Sequence, residues 1–265
     1  PPAMRALLAS ALLTAPRLHL RTAGCHASAR PSGRPKAKQS LGQNFLSDAT
    51  MARRIVEGLD DASAALPAAS SEDGRRVIEL GPGQGALTDS LLATYPQMTA
   101  VEIDERMIAV LRESFPGLTD LREGDMLQLD LQQLADEKGG CLSLISNTPF
   151  YLTSQILFKI LGALDTVDRA VLTMQKEVGD KVLAPHGCKA YGPLAVMLQL
   201  FAEPTHLFDI PPQAFRPIPK CHVSVLRFHP SATPAGLSTP LSAAQRTQAR
   251  PRARPISHSA ASAPP

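Results

Sequence analysis

Three glycines, Gly81, Gly83 and Gly85, fall within five positions of the stretch VIELGPGQGALTDSLL, and Glu79 stands two residues ahead of the first. A turn that dense in glycine can bend sharply at the carboxyl end of a strand, bring backbone against a ligand and pack close to the start of a helix. On its own such a run also fits a close-packed turn with no ligand. Glu102 adds to it, about twenty residues on, where nucleotide-binding folds place an acid for a ribose diol. Asp125 follows, and then Asn147, with Pro149 and Phe150 just behind it. The chemistry open to this set is the binding of a nucleotide-bearing ligand at one edge of a sheet.

These residues can act together only if the intervening elements bring them to one crevice. RRVIEL reads as a short buried strand entering the glycine turn, and Leu87 and Leu91 mark the next helix. MTAVEID is a second strand ending in acids, and ERMIAVLRESF a helix. LREGDML is a third, weaker strand ended by Asp125, and CLSLISN a fourth ended by Asn147. Ile156, Ile160 and Leu164 lie at helical spacing behind Thr153 and Ser154; RAVLTMQ is a fifth strand, and VMLQLFA and HVSVLRF complete the set of strands. Ahead of all these, SDATMARRIVEGL is an amphipathic helix with Ser47 and Asp48 as candidate caps and Met51, Ile55 and Leu59 at every fourth position. Strands alternating with helices predict an α/β fold, a mostly parallel sheet with helices on both faces. Its ligand would then bind outside the strand carboxyl ends, where Gly81, Glu102, Asp125 and Asn147 converge.

Both NAD and S-adenosylmethionine suit a glycine turn followed by a ribose-binding acid. The form ExGPGxG, Glu79 to Gly85, with Glu102 and then Gly124–Asp125, favours the methyl donor. The tetrad Asn147-Thr148-Pro149-Phe150 resembles the catalytic motif of methyltransferases that modify an exocyclic or amide nitrogen. An aromatic amine attacks poorly because its lone pair is delocalised into the ring. The Asn147 side-chain oxygen and a neighbouring backbone carbonyl can accept the amino hydrogens and turn the lone pair toward the methyl group. Phe150 can stack on the base, and Pro149 stiffens the turn. Direct transfer from a sulfonium depends on positioning, so no strong general base is required.

A wider pattern then becomes specific. KQSLGQNFLSD (38–48), ELGPGQGALT, EID, GD, NTPFYLTS, MQKEV with KAYG, and PPQAFRPIPK resemble, in order and spacing, the KsgA-type ribosomal RNA adenine N6,N6-dimethyltransferases over essentially 36–229. GQNFL and F-x-P-x-P-K carry the resemblance most strongly. It implies a Rossmann-like, S-adenosylmethionine-dependent methyltransferase that places two methyl groups on N6 of adjacent adenosines near the 3′ end of small-subunit ribosomal RNA, supporting ribosome biogenesis. By matching position, Asn44, Leu46, Gly81 and Gly83 would contact the methyl donor, Glu102 its ribose and Asp125 its adenine region. Asn147 would sit beside the reactive methyl, with Pro149 and Phe150 completing the catalytic turn. Phe150 and Phe215 would sandwich the target adenine, and Lys220 would meet RNA. The chain departs from the family where Thr148 replaces the usual Leu and Pro193 the usual Arg after Tyr-Gly. The family also carries a small helical domain after its last strand. Here the chain passes after Phe228 into a different composition, which reads as truncation: donor binding is expected to survive, full activity on ribosomal particles is not.

Bulk composition is consistent with this reading. A 265-residue chain that is 44% hydrophobic can bury a sizeable core, and its net charge of +3 permits nucleic-acid binding without demanding it. Cys25, Cys141, Cys188 and Cys221 are scattered and form no CxxC pair, so reduced thiols are expected and no metal site. No apolar run reaches the eighteen or so residues that span a bilayer, and no membrane partner is expected. Residues 1–37 are rich in Ala, Leu, Ser and Arg, and the first acid in the chain is Asp48. This matches a transit peptide, or else a disordered basic arm, and predicts a mitochondrial or chloroplast protein. The methyltransferase domain is expected over 38–229, and 230–265, without aromatics or acids, as a disordered tail. The expected partner is small-subunit ribosomal RNA in a pre-ribosomal particle, met by a monomer. A non-catalytic rRNA-binding assembly or organellar transcription factor of the same family is the alternative, and a nitrogen methyltransferase acting on DNA or protein glutamine a third reading.

Overall fold

The strands of the chain are, in order, β1 (Phe45–Leu46), β2 (Val77–Leu80), β3 (Thr99–Glu102), β4 (Asp120–Glu123), β5 (Leu142–Ser146), β6 (Val167–Gln175), β7 (Thr205–Ile210), β8 (Phe215–Arg216) and β9 (Val223–Phe228). The helices are α1 (Ala49–Glu57), α2 (Thr88–Thr94), α3 (Glu105–Ser114), α4 (Leu131–Lys138), α5 (Thr153–Leu161), α6 (Lys176–Val182) and α7 (Pro193–Phe201). They come from a computed structural model that describes residues 43–60 and 73–230. The arm expected at 1–37, residues 38–42 of the first motif and the tail from 231 onward lie outside the described residues.

Seven strands form one sheet in the order β4-β3-β2-β5-β6-β9-β7. The first five run parallel, and β9 lies antiparallel between β6 and β7. Every residue of β2 and β5 is buried, as expected of central parallel strands covered on both faces. Ile78 and Leu80 join a core with Leu134, Ile156, Ile160 and Leu198, so α4, α5 and α7 cover one face. Val77 and Ile145 pack with Ile55, Leu91 and Leu111 on the other face, under α1, α2 and α3. The α/β sheet with helices on both faces predicted from the strand–helix alternation is the fold observed. Among the described residues no helix is long and apolar enough to cross a membrane.

Local signals mostly placed these elements. Asp48 is the cap of α1, its side chain accepting from the Thr50 and Met51 N–H groups at 2.8 and 3.1 Å. Several segments differ from expectation. VMLQLFA is no strand but most of α7, which Pro193 opens at its first turn while Ala195, Leu198 and Phe201 recur at threefold spacing on the buried side. The strand in that region is the following THLFDI (β7), whose residues are largely part-exposed at the sheet edge. The third strand stops at Glu123, so Asp125 lies in the turn beyond it. The helix carrying Ile156 and Ile160 ends at Leu161, short of Leu164, and α4 had not been foreseen.

The switch point of the sheet lies between β2 and β5. From β2 the chain winds outward through β3 and β4, then crosses back to β5 on the other side. The carboxyl ends of β2 and β5 therefore flank a crevice, with Gly81 on one lip and Asn147 on the other. A second, two-stranded sheet lies apart from the large one: β1 pairs antiparallel with β8, Phe45 opposite Arg216 and Leu46 opposite Phe215. The Ser47 N–H and hydroxyl both donate to the Ala214 carbonyl, at 2.7 and 2.9 Å, extending that link.

Gly85 serves packing rather than a ligand. Its φ is +80°, and a methyl group there would collide with the Phe115 ring. Gly85→Ala should destabilise the fold by about 2–4 kcal/mol, from the left-handed backbone and the overlap together. Denaturant titration measures this; a loss below 1 kcal/mol would show that the ring moves aside freely.

Candidate active site

A cleft of about 800 Å³, counting solvent at its mouth, opens at the switch point. Of the residues picked out from sequence, Asn44, Leu46, Gly81, Gly83, Glu102, Asn147, Pro149, Phe150 and Phe215 line it. Two do not. Asp125 is part-exposed, its carboxylate accepting from the Leu127 N–H at 2.8 Å and close enough to act on the rim residue Tyr151, while the adjacent Met126 lines the cleft. Lys220 is exposed and lies away from the lining. Pro193, at the position of a lost arginine, starts a helix instead.

The glycine turn and the end of β3 are held together by one carboxylate. Glu102 accepts from the Gly83 N–H at 2.9 Å through one oxygen, and from the Ile103 and Asp104 N–H groups at 2.9 Å through the other. The oxygen that accepts from Gly83 keeps acceptor capacity for a further donor, whereas the other already accepts two. Gly83 needs its left-handed backbone, φ +56°, to direct that N–H, and a Cβ there would crowd the Phe45 ring at 3.1 Å. Backbone thus forms part of the cleft wall where any larger residue would intrude.

A segment from the N-terminal side closes the other wall. It is tied down three times: by the β1–β8 pairing, by Gln43 donating to Asp104 at 3.2 Å, and by the Asn147 amide donating to the Asn44 carbonyl at 3.2 Å. Gln43 and Asn44 belong to GQNFL, and Phe215 to FRPIPK, so the two most specific stretches of the sequence meet across this cleft. Phe215 is fully buried, whereas Phe150 is part-exposed and Tyr151 stands 56% exposed at the rim.

Asn147 follows β5 directly and is gripped on both sides. Its Oδ1 accepts from the Thr173 hydroxyl at 2.9 Å, and that hydroxyl accepts from the Thr148 N–H at 3.0 Å. Ser146 donates to the Leu80 carbonyl at 2.7 Å, locking the ends of β5 and β2 together. Thr148 is buried, and its own hydroxyl has no hydrogen-bond partner. Leaving such a group unpaired costs about 1–3 kcal/mol.

Sequence reasoning gave no site role to several residues of the cleft and its support. Glu79 is buried in β2, where its carboxyl accepts from the Thr88 hydroxyl at 2.7 Å. Burial, opposed by that hydrogen bond and reinforced by the charge of Glu102, pushes its pKa from 4.5 up to about 8. Ile103, 52% exposed, and Tyr151 offer apolar surface at the mouth. Both adjoin residues already singled out, so adjacency was the available signal. Thr173 had none, because only the fold brings β6 beside Asn147.

The model of a family described as ribosomal RNA adenine dimethylase matches residues 34–241. The ribosomal RNA small subunit methyltransferase A of Salinibacter ruber is 50% identical over 204 residues, which are 76% of this chain and 65% of that protein. Its counterpart in Geobacter sulfurreducens is 40% identical over 202 residues, 75% of this chain and 70% of that one. Among solved structures, the 23S rRNA methyltransferase ErmE superposes with a TM-score of 0.59 at 26% identity, over 77% of this chain and 75% of its own. A dimethyladenosine transferase from Plasmodium falciparum shares the fold at TM-score 0.57 and 24% identity, over 71% and 63%. The chain therefore spans 65% of the length of the Salinibacter relative.

Glu79 makes stability pH-dependent with a definite sign. Between about pH 4.5 and 8 the native state keeps a proton that the unfolded chain has released, so stability falls as pH rises. Its contribution is whole below pH 4.5 and lost through about pH 8. Glu79→Gln should flatten that decline, gaining on the order of a few kcal/mol over the parent between about pH 5 and 8.5. Parallel denaturation curves at both pH values would show that the carboxyl is not the source.

Proposed function

The chain belongs to the ribosomal RNA adenine dimethylase family, and from that premise we propose that it methylates adenosine N6 in small-subunit ribosomal RNA with S-adenosylmethionine. The observation that carries the reading is Asn147: a carboxamide held by two hydrogen bonds at the switch-point crevice, one residue beyond β5 and beside Phe150.

The residues fit the donor. Glu102 offers an acceptor oxygen beside the glycine turn for a ribose hydroxyl, and Ile103 gives an apolar face for the donor's base. Glycine backbone at Gly81 and Gly83 leaves room that a Cβ would fill, since at Gly81 it would approach the Met126 methyl at 2.7 Å. When bound, the donor supplies an electrophilic methyl on a positive sulfonium. What remains for the chain is alignment. Asn147 Oδ1 spends one lone pair on Thr173 and presents the other to an amino hydrogen, and Pro149 holds the turn that places Phe150 against the base. The target amine is thereby held with its nitrogen lone pair directed, with no ionisable side chain required to remove a proton before attack.

The substrate form we propose is RNA in an immature small subunit. The acid-free basic stretch at 1–37 supports delivery to a mitochondrion or chloroplast. A fluorescent reporter carrying that stretch should accumulate in one of those organelles, and a diffuse cytosolic signal would overturn the assignment.

Labelled methyl donor and immature small subunits test the function directly. Asn147→Ala should lower transfer by at least about 100-fold while changing donor affinity less than threefold, because its interaction is made with the reacting amine. Glu102→Ala should weaken donor binding about tenfold or more, through loss of a charge-assisted acceptor. Calorimetry for the donor and label counting in RNA adenine separate the two. Background label alone with both parent and Asn147→Ala would leave a binding role in place of an enzyme, and parent-level label in Asn147→Ala would overturn the role given to that residue.

A further inference from the structure

The hydroxyl of Thr173 is fully buried in β6, far in sequence from the tetrad, yet it contacts two successive residues of it. A side-chain amide has nearly the same shape either way round, and its chemistry depends on which end faces the substrate. At Asn147 two neighbours favour one way round. The Asn44 carbonyl can only accept, so it selects the nitrogen. Thr173 Oγ accepts from the Thr148 N–H and donates its own hydrogen to Asn147 Oδ1, holding the oxygen on that side. Thr148 could in principle supply a competing hydroxyl, but it has no hydrogen-bond partner and takes no part.

We infer that Thr173 is a positioning residue for methyl transfer: its hydroxyl sets the Asn147 carboxamide so that the oxygen, and not the NH2 group, is available to the target amine. The inference rests on the proposed role of Asn147 as acceptor of the amino hydrogen. A flipped amide would point a donor at a donor, and the lone pair of the target nitrogen would no longer be directed. Thr173 touches neither donor nor RNA in this account, so its effect should fall on the rate and not on binding.

Thr173→Val keeps the shape and removes the hydroxyl; Thr173→Ser keeps the hydroxyl. Single-turnover transfer to RNA should fall roughly 10- to 100-fold in Thr173→Val, the cost of one misdirected hydrogen bond in the transition state. The donor Kd and the KM for RNA should change less than about twofold, and Thr173→Ser should recover most of the rate. Because Thr173→Val also leaves the Thr148 N–H without its acceptor, the assays are run well below the melting point of each variant. A second readout does not depend on activity: with 15N-asparagine labelling, the Asn147 side-chain amide hydrogens should exchange slowly in the parent and in Thr173→Ser, and fast in Thr173→Val. Parent-like transfer by Thr173→Val, or equal losses in rate and donor affinity, overturns the inference. Failure of the parent itself to methylate RNA would sink the functional reading, and amide exchange unaltered in Thr173→Val would then sink this one separately.

Discussion

Parallel pairing of β2 with β5 is the constraint from which the rest of the site follows. The chain leaves β2 toward one edge of the sheet and comes back to β5 on the other side, so no connection crosses the gap between their carboxyl ends. That gap exposes backbone groups at the ends of two fully buried strands. They need partners, and the structure supplies them locally: Ser146 bonds the Leu80 carbonyl, and Glu102 gathers the N–H groups of Gly83, Ile103 and Asp104. What stays open is a cleft whose walls are polar where the backbone ends and apolar where the cores reach the surface. A site for a ligand with a sugar, a base and a charge is the natural consequence of that mixture.

The β1–β8 ribbon answers a different need. Each strand contributes only two residues, too few to be stable alone, so the ribbon depends on what anchors it. Gln43 to Asp104 and Asn147 to Asn44 are those anchors and reach different parts of the fold, while Ser47 to Ala214 lengthens the ribbon itself. The same bond that orients Asn147 therefore also holds the segment that walls the cleft. Site geometry and the closure of the cleft are coupled through one carbonyl.

Much of this was legible in the sequence, for reasons that differ by element. The central strands announced themselves by unbroken apolar runs, and α1 by its period and its Asp48 cap. The glycine turn and Glu102 were legible because their spacing is set by one strand–helix–strand unit, a local length. VMLQLFA was misread because an apolar run of seven residues has no period of its own, and only Pro193 ahead of it signalled a helix. Asp125 was misplaced by two residues, since a weak strand such as LRE has no sharp end. The nearness of GQNFL to FRPIPK could be inferred only from resemblance, because nothing in two segments some 170 residues apart states that they pair. Thr173 was invisible for the same reason in a harsher form: its partner is chosen by the register of β6 against β5, in which Ser146 stands opposite Leu172.

The buried polar residues of the site show where the fold tolerates cost. Thr173 and Ser146 are satisfied and serve geometry. Glu79 is satisfied only in part, for one hydrogen bond from Thr88 does not offset its burial next to Glu102, and it keeps its proton as a result. The Thr148 hydroxyl is not satisfied at all. Two such defects on the paired central strands or just beyond them would be hard to bear at a sheet edge, where water can loosen the packing. Here they sit between two apolar cores that meet at β2 and β5, each closed by helices on its own side. The cores supply stability that the site consumes, and the site stays rigid because its neighbours have no room to relax around it. Rigidity is what a reaction governed by alignment requires, so the unfavourable burial of these groups and the proposed chemistry have the same structural origin.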